Sequence, residues 1–146
     1  MNINNHSHLP TYEASLLQAT AHRKLRYLVS ELLKQYDLSL SEWTFLGLVY
    51  EHKQINLRTI SGLLDVEPPF ASRLSRKLLQ MNFIEIEASP KDARIKQVGL
   101  SHYGHGRFTQ IEMDLQRALQ DVFIGVPAKH MASYFIVLQY ISDTLE

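Results

Sequence analysis

The sequence contains no cysteine among its 146 residues. It therefore forms no disulfide, offers no thiolate to zinc, and has no cysteine nucleophile or thiol redox sensor. It also lacks a run of about 18 apolar residues, so no segment is predicted to span a membrane. The first ten residues, MNINNHSHLP, lack the basic and apolar regions of a signal peptide. We therefore expect a cytoplasmic protein.

Motifs of the common enzyme classes are absent as well. Six glycines are present, and none belongs to a glycine-rich phosphate loop or to the G-x-S-x-G turn of serine hydrolases. We therefore predict no catalytic residue and no cofactor. Fifteen basic residues balance fifteen acidic ones. Taken alone, that balance argues mildly against a nucleic-acid partner, because nucleic-acid-binding domains are usually basic.

The first half of the chain reads as a series of helices. Apolar residues recur at helical spacing from position 12 to 36, a helix long enough to suggest packing against a partner. The S-x-x-E pattern at 39–42 is a capping box, which predicts a second helix as far as about His52. Asn56 is the predicted N-cap of a short helix of about three turns.

In the second half of the chain, the spacing of apolar residues changes from that of a helix to that of a strand and back again. Pro68 and Pro69 open a further helix, which we predict to end at Asn82. Residues 83–87 and 95–100 then alternate as strands around a loop that carries Lys91 and Arg94, which predicts a two-stranded hairpin with a basic tip. Two more helices follow, one capped by Ser101 and one beginning near Pro127.

This order of elements is typical of a winged helix-turn-helix, in which one helix enters the major groove of DNA. The predicted buried stripe of that helix is Ala71, Leu74 and Leu78, which turns five residues outward: Phe70, Ser72, Arg73, Arg76 and Lys77. Arg73 is suited to reading guanine, Ser72 to a base or a phosphate, and Arg76 and Lys77 to phosphates. We expect Arg94 to enter the adjacent minor groove between Lys91 and Lys96. The alternative is that all of these are ordinary solvated charges.

The neutral total conceals an uneven distribution of charge. Between Lys53 and Arg107 there are nine basic and five acidic residues, whereas the rest of the chain has six basic and ten acidic. A duplex responds to the nearby face more than to distant, screened charges. The small positive excess predicts modest non-specific affinity with a strong dependence on salt.

Five motifs are spread along the chain: L-S-x-x-E-W-x-x-L at 38–46, residues 60–66, S-R-L at 72–74, F-I at 83–84, and the D-x-R…V-x-L-S-x-x-G run at 92–104. Together they resemble the MarR family of bacterial transcriptional regulators. The resemblance implies a mostly α fold with a small β-hairpin wing, in a homodimer that presents two recognition helices to a palindromic operator. It also implies that small molecules, often aromatic or phenolic, weaken DNA binding.

The implied organisation is a single MarR-like domain over residues 1–146. Within it we expect a disordered lead-in at 1–10, a winged helix-turn-helix lobe at 39–100, and dimerisation helices at 11–36 and 101–146.

Carried over residue by residue, the family's DNA contacts fall on Pro69, Phe70, Ser72, Arg73, Asp92 and Arg94. Arg94 is the implied minor-groove contact, and Asp92 is the implied partner of a basic side chain near the wing. Pro69 and Phe70 stand where the family usually has small polar residues. Phe70 either contacts a thymine methyl or packs against a neighbouring helix. Asn82 replaces a typical glycine, and we expect no structural consequence because Asn tolerates that backbone.

Six residues lie on or beside the elements that frame the family's ligand pocket: His22, Arg23, Arg26, Tyr36, Trp43 and Tyr50. Aromatic walls with cations would suit an aromatic carboxylate. The alternative is that the aromatic residues belong to the core and the cations to the surface. Two histidine pairs, His6 with His8 and His102 with His105, lack the acidic residue that would complete a metal site, so none is predicted.

We therefore predict a sequence-specific, DNA-binding transcriptional regulator that is not an enzyme, a repressor relieved by a small-molecule ligand. Its expected partners are double-stranded DNA, a second copy of the chain and that effector, and no membrane. Two alternatives stay open. One is a metal-responsive winged-helix regulator, and the other is a protein-interaction module that kept the fold and lost DNA binding.

Overall fold

The computed structural model describes residues 11–145. Its helices are α1 (Thr11–Lys34), α2 (Leu40–His52), α3 (Leu57–Leu63), α4 (Pro68–Gln80), α5 (His102–Phe123) and α6 (Ala128–Thr144). Its strands are β1 (Gln54–Asn56), β2 (Ile84–Ala88) and β3 (Lys96–Leu100). The predicted fold class, mostly helical with a small β wing, is confirmed. The lead-in predicted at 1–10, with His6 and His8, lies outside the described residues.

The chain divides into two compact units, one ending at Thr109 and the other beginning at Gln110. In the first, α4 packs on both α2 and α3, and all three helices pack on the sheet. Its fully buried side chains include Leu33, Phe45, Leu46, Val49, Ile60, Leu78, Ile84 and Val98. These residues come from both helices and strands, so one apolar core fixes the positions of α4 and the hairpin.

The capping box at the start of α2 forms as predicted. The backbone N–H of Ser39 donates to the Glu42 carboxylate at 2.7 Å, and the Glu42 N–H donates to the Ser39 hydroxyl at 3.2 Å. Two of the unpaired N–H groups at this helix end are thereby satisfied. The chain enters this cap from α1 through Asp37, which adopts a left-handed backbone with φ 55°.

The sheet has three strands, so the prediction of a two-stranded hairpin was incomplete. The order is β1-β3-β2 and both pairs are antiparallel, with Ile55 and Ile86 each opposite Val98. A strand of three residues with one apolar side chain is too short to show alternation, which is why β1 was missed. The Asn56 cap is confirmed by a 2.8 Å bond from the Thr59 N–H, but α3 has only 7 residues, about two turns.

The junction between the hairpin and α5 is tightly packed. Ser101 caps the helix as predicted: its hydroxyl accepts from the Gly104 N–H at 2.8 Å and donates to the Asn82 carbonyl at 2.6 Å. Asn82 has φ 60°, the left-handed conformation predicted for the end of α4. A Cβ added at Gly104 would lie 1.8 Å from the carbonyl oxygen of Phe83, so this position requires glycine.

The long helices leave much apolar surface uncovered within this chain. Helix α6, described along its whole length, has no buried residue, and α1 buries only Leu33. The exposed large apolar side chains of α6 are Tyr134, Phe135, Ile136, Val137, Leu138, Tyr140 and Ile141. Within residues 11–145 no single helix is long and apolar enough to cross a membrane, and α5 with α6 meets that test only as a bent pair.

Candidate nucleic-acid interface

The turn between α3 and α4 is held by short backbone and side-chain hydrogen bonds. The Val66 N–H donates to the Ser61 carbonyl at 3.0 Å, and the buried Ser61 hydroxyl donates to the Val66 carbonyl at 2.6 Å. Asp65 takes the left-handed backbone, with φ 52°, that reverses the chain here. The angle between α3 and α4 is therefore fixed by the chain itself, as a helix-turn-helix requires.

Helix α4 has one buried face and one exposed face. Ala71, Leu74 and Leu78 are buried as predicted, and Ser75 joins them with its hydroxyl bonded to the Ser72 carbonyl at 2.9 Å. With about 3.6 residues per turn, the side chains opposite this stripe are Pro69, Arg73, Arg76 and Gln80, all of them exposed. Pro68 and Pro69 occupy the first two helical positions, as predicted.

Three of the predicted contact residues on α4 have side chains that contact other atoms of the same helix. Phe70 is only half-buried, and the guanidinium carbon of Arg73 lies 4.8 Å from the centre of its ring. The Arg76 Nε donates to the Ser72 carbonyl at 3.4 Å. The exposed face therefore carries side chains that are partly ordered before any partner binds.

Lys77 is engaged with the α1–α2 corner. Its ammonium donates to the Glu42 carboxylate at 3.1 Å and to the Asp37 carbonyl at 3.0 Å. The lysine side chain is 40% exposed, whereas that of Glu42 is 8% exposed. Lys77 thus connects the recognition helix to two other elements, a role that the sequence did not reveal.

The wing is a loop stiffened by its own hydrogen bonds. The Asp92 carboxylate accepts from the Arg94 N–H at 2.9 Å, and the Ser89 N–H donates to the Ile95 carbonyl at 2.7 Å. The resemblance implied that Asp92 holds a basic side chain, whereas here it holds the backbone of the wing. The cationic side chains at 91, 94 and 96 are all exposed.

Arg58 was not singled out from the sequence. It lies in the first turn of α3 and is exposed. In a helix-turn-helix the first helix crosses the DNA backbone, so a cation at its start is well placed for a phosphate. The sequence could have indicated this residue, because Arg58 follows the predicted Asn56 cap by two positions and so lies at the start of the helix.

The predicted ligand residues fall into separate groups. His22, Arg23 and Arg26 line a cavity of about 400 Å³ along α1 with Tyr27 and Ser30. Trp43 and Tyr50 instead stack on Phe108, with ring centroids 4.6 and 4.7 Å away. Trp43 is 9% exposed, so this residue belongs to the core. The ring centre of Tyr36 lies 5.3 Å from the guanidinium carbon of Arg107.

A second cavity lies at the corner of α1, α2 and α4. It measures about 440 Å³ and its lining includes three cations, Arg26, Lys34 and Lys77. The hydrogen bond from Lys34 to Glu31 raises the pKa of that lysine above its ordinary value.

The histidines among the described residues could serve a metal centre only together with several converging ligands. The ring of His105 is 5.4 Å from that of Tyr50. In the stretch from residue 11 to residue 145, no three His, Cys, Asp or Glu side chains are grouped so that they could hold a metal ion.

Comparison with known proteins agrees with this geometry. The MarR family model matches residues 38–96. An uncharacterized HTH-type transcriptional regulator of Staphylococcus aureus is 26% identical over 103 residues, 70% of each chain. The crystal structure of wild-type MarR from E. coli is similar with a TM-score of 0.76 at 19% identity, covering 93% of this chain and 98% of that one.

A mutant E. coli MarR solved in complex with operator DNA is similar to the same degree. Its TM-score is 0.76 at 20% identity, and the match covers 87% of this chain and 91% of that one. The fold, the turn between α3 and α4 and the segment matched by the family model all indicate a winged helix-turn-helix. Residues 38–96 therefore match the MarR family, and the chain has the winged-helix fold of MarR structures.

Proposed function

We propose that this protein is a homodimeric transcriptional regulator that binds a palindromic operator, represses transcription there and releases the DNA when a small anionic ligand binds. The observation that carries the proposal is the outward face of α4, which lies beside a wing tipped with exposed cations. Because it binds DNA, we place the protein in the cytoplasm. A dimer seated on its operator excludes the polymerase sterically, which is why we propose repression.

The DNA contacts divide by chemistry. Arg73 and Ser72, near the start of α4, suit base edges, whereas Arg76 and Arg58 suit phosphates. Pro69 and Phe70 offer apolar contact to the groove. Lys77, already bonded to Glu42, acts by positioning α4.

The wing supplies the second set of contacts. Arg94 suits the narrow minor groove beside the recognition helix, and Lys91 and Lys96 suit the phosphates on either side of it. Asp92 keeps the loop in shape through the Arg94 N–H.

The proposed second copy covers the long helices. A helix with apolar side chains on all sides is normally buried, yet α6 has no buried residue in the single chain. Exposed apolar patches of this extent mark protein interfaces. In the dimer, the two recognition helices would lie about 34–36 Å apart, one turn of DNA.

The proposed effector site is the 440 Å³ cavity at the α1–α2–α4 corner. Its lining holds three cations against one carboxylate, that of Asp37, and this positive excess favours an anion. Its volume is that of a small-molecule site. Lys77 belongs both to this lining and to the contact with Glu42, so a bound anion would compete for its ammonium. Losing this contact would let α4 move. The ligand would then favour one position of α4 and DNA the other, so binding of the ligand would weaken binding of DNA.

Selection of bound DNA from a random pool tests DNA recognition. We expect a palindrome whose half-sites are about 10 base pairs apart centre to centre, bound by two chains in sedimentation. Recovery of no common sequence, or a monomer at micromolar concentration, would contradict the proposal.

A matched pair of small molecules tests the effector site. Benzoate should weaken binding to the selected DNA, whereas benzamide, its neutral counterpart, should not. The Arg26→Met variant should bind DNA normally and lose the response to benzoate. Equal effects of the two compounds on the natural chain would argue against a site for anions.

A further inference from the structure

The pair formed by Phe70 and Arg73 is the most distinctive feature of the recognition helix. The Arg73 guanidinium lies over the Phe70 ring at 4.8 Å from its centre, within the range of a cation–π interaction. The two residues are three apart in α4, so they are neighbours on one side of the helix. An exposed arginine is therefore stacked on a half-buried aromatic ring.

The backbone that carries the ring is restricted by its position in the first turn of α4. Pro68 and Pro69 precede it at the first two helical positions, and their fixed φ angles restrict the backbone there. The Phe70 N–H donates to the Glu67 carbonyl at 2.9 Å. Phe70 is thus a fixed support, and it limits the rotamers that the longer Arg73 side chain samples.

The position of the pair is the one from which a recognition helix reads bases. Residues near the helix N-terminus contact base edges, and Arg73 lies opposite the buried stripe of Ala71, Leu74 and Leu78. A planar guanidinium reads guanine through two parallel hydrogen bonds, which requires a defined orientation of its plane. A phenyl ring has no donor or acceptor for a base edge, but it packs well against the C5-methyl of thymine.

We infer that Phe70 and Arg73 read DNA as one unit, in which Phe70 orients the guanidinium toward a guanine and its ring contacts the methyl group of an adjacent thymine. Phe70 is then a specificity-determining residue. This inference rests on the proposed operator binding and specifies how a part of that operator is read.

Four variants separate this role from a purely structural one. Phe70→Leu keeps apolar bulk and removes the π face, whereas Phe70→Tyr keeps the ring. Arg73→Lys keeps the charge and removes the planar fork. The fourth is the double variant of Phe70→Leu and Arg73→Lys. Affinities are measured at one salt concentration for the selected operator and for operators changed at single base pairs.

The double variant provides the sharpest test. Phe70→Leu should reduce discrimination at one G·C pair about 2- to 5-fold, the size of an exposed cation–π interaction. Arg73→Lys should reduce discrimination at the same pair about 10-fold or more. The double variant should lose no more than Arg73→Lys alone, because the two residues act on one contact. Phe70→Tyr should behave like the natural chain.

Replacing the neighbouring thymine by uracil removes only the methyl group. The natural chain should bind the uracil operator about threefold more weakly than the thymine operator. In Phe70→Leu the difference in affinity between the two operators should be smaller. Additive losses in the double variant, or an equal loss by Phe70→Leu on every sequence, would overturn the inference while leaving operator binding intact. If the natural chain selects no sequence at all, the proposed function and this inference both fail.

Discussion

The ammonium of Lys77 lies 3.1 Å from the carboxylate of Glu42, and the same carboxylate oxygen accepts the Ser39 N–H at 2.7 Å. One buried acid therefore closes the cap of α2 and binds the recognition helix. The Asp37 carbonyl completes the set of acceptors around the lysine. The position of α4 therefore depends on this polar contact to the α1–α2 corner as well as on packing in the apolar core.

Removing the cation should destabilise the lobe. Lys77→Met leaves the Glu42 side chain, 8% exposed, without its partner, although the cap bond to Ser39 persists. Because Lys77 is 40% exposed and solvent screens the pair, we expect the free energy of unfolding to fall by only about 1–2 kcal/mol. Urea denaturation measures this loss. The control Lys91→Met, on the exposed wing, should change stability by less than about 0.5 kcal/mol, and equal losses in the two variants would contradict the prediction.

Two glycines in the first turns of α5 should respond oppositely to the same substitution. In Gly104→Ala the new Cβ would lie 1.8 Å from the Phe83 carbonyl oxygen, and backbone cannot rotate away. We expect a loss of at least about 3 kcal/mol in the free energy of unfolding, or no folded protein.

Gly106→Ala is the matched control. No atom lies within 4 Å of its Cβ, so the change should stabilise the helix by about 0.5–1 kcal/mol. Thermal unfolding of the two variants checks the pair. A Gly104→Ala protein as stable as the natural chain would show that α5 does not begin against Phe83.

The left-handed residue after α4 tests how well asparagine replaces glycine. At φ 60°, Asn82→Gly should change stability by only a few tenths of a kcal/mol, since both residues tolerate this backbone. Asn82→Ala should cost about 1 kcal/mol because Ala keeps the Cβ that crowds the following carbonyl and lacks the polar side chain with which Asn offsets that crowding. Thermal unfolding compares the two, and equal stability of the Ala and Gly variants would disprove the steric argument.

Much of the fold was predictable because it is encoded locally. The capping box at Ser39, the Asn56 cap, the paired prolines and the left-handed Asn82 each determine a helix end within a few residues. The apolar stripe of α4 was predicted for the same reason, since helical periodicity is visible in sequence.

The rest depends on contacts between distant parts of the chain. Lys77 and Glu42 are 35 positions apart, and no local pattern pairs them. The sequence placed Trp43 and Tyr50 beside a ligand pocket, whereas in the structure both rings stack on Phe108, which is more than 55 positions away in the sequence. The cavity at the α1–α2–α4 corner is similarly formed by three elements, so only Arg26 of its cations was among the predicted ligand residues.

Loss of the wing arginine should weaken operator binding without affecting the fold. Arg94 is exposed, and the hydrogen bond that shapes the loop uses its backbone N–H, which Arg94→Ala retains. We expect at least about a tenfold loss of operator affinity at fixed salt, together with a shallower dependence of affinity on salt, because each chain makes one fewer cationic contact.

Lys24→Ala provides the control for charge alone. Lys24 is an exposed cation of α1, outside the winged-helix lobe, so its removal should leave both the affinity and the salt dependence unchanged. Fluorescence anisotropy titrations at several salt concentrations measure both quantities, and urea denaturation verifies that both variants are folded. Equal affinities of the Arg94→Ala variant and the natural chain would remove the wing from the proposed interface and leave recognition to α4 alone.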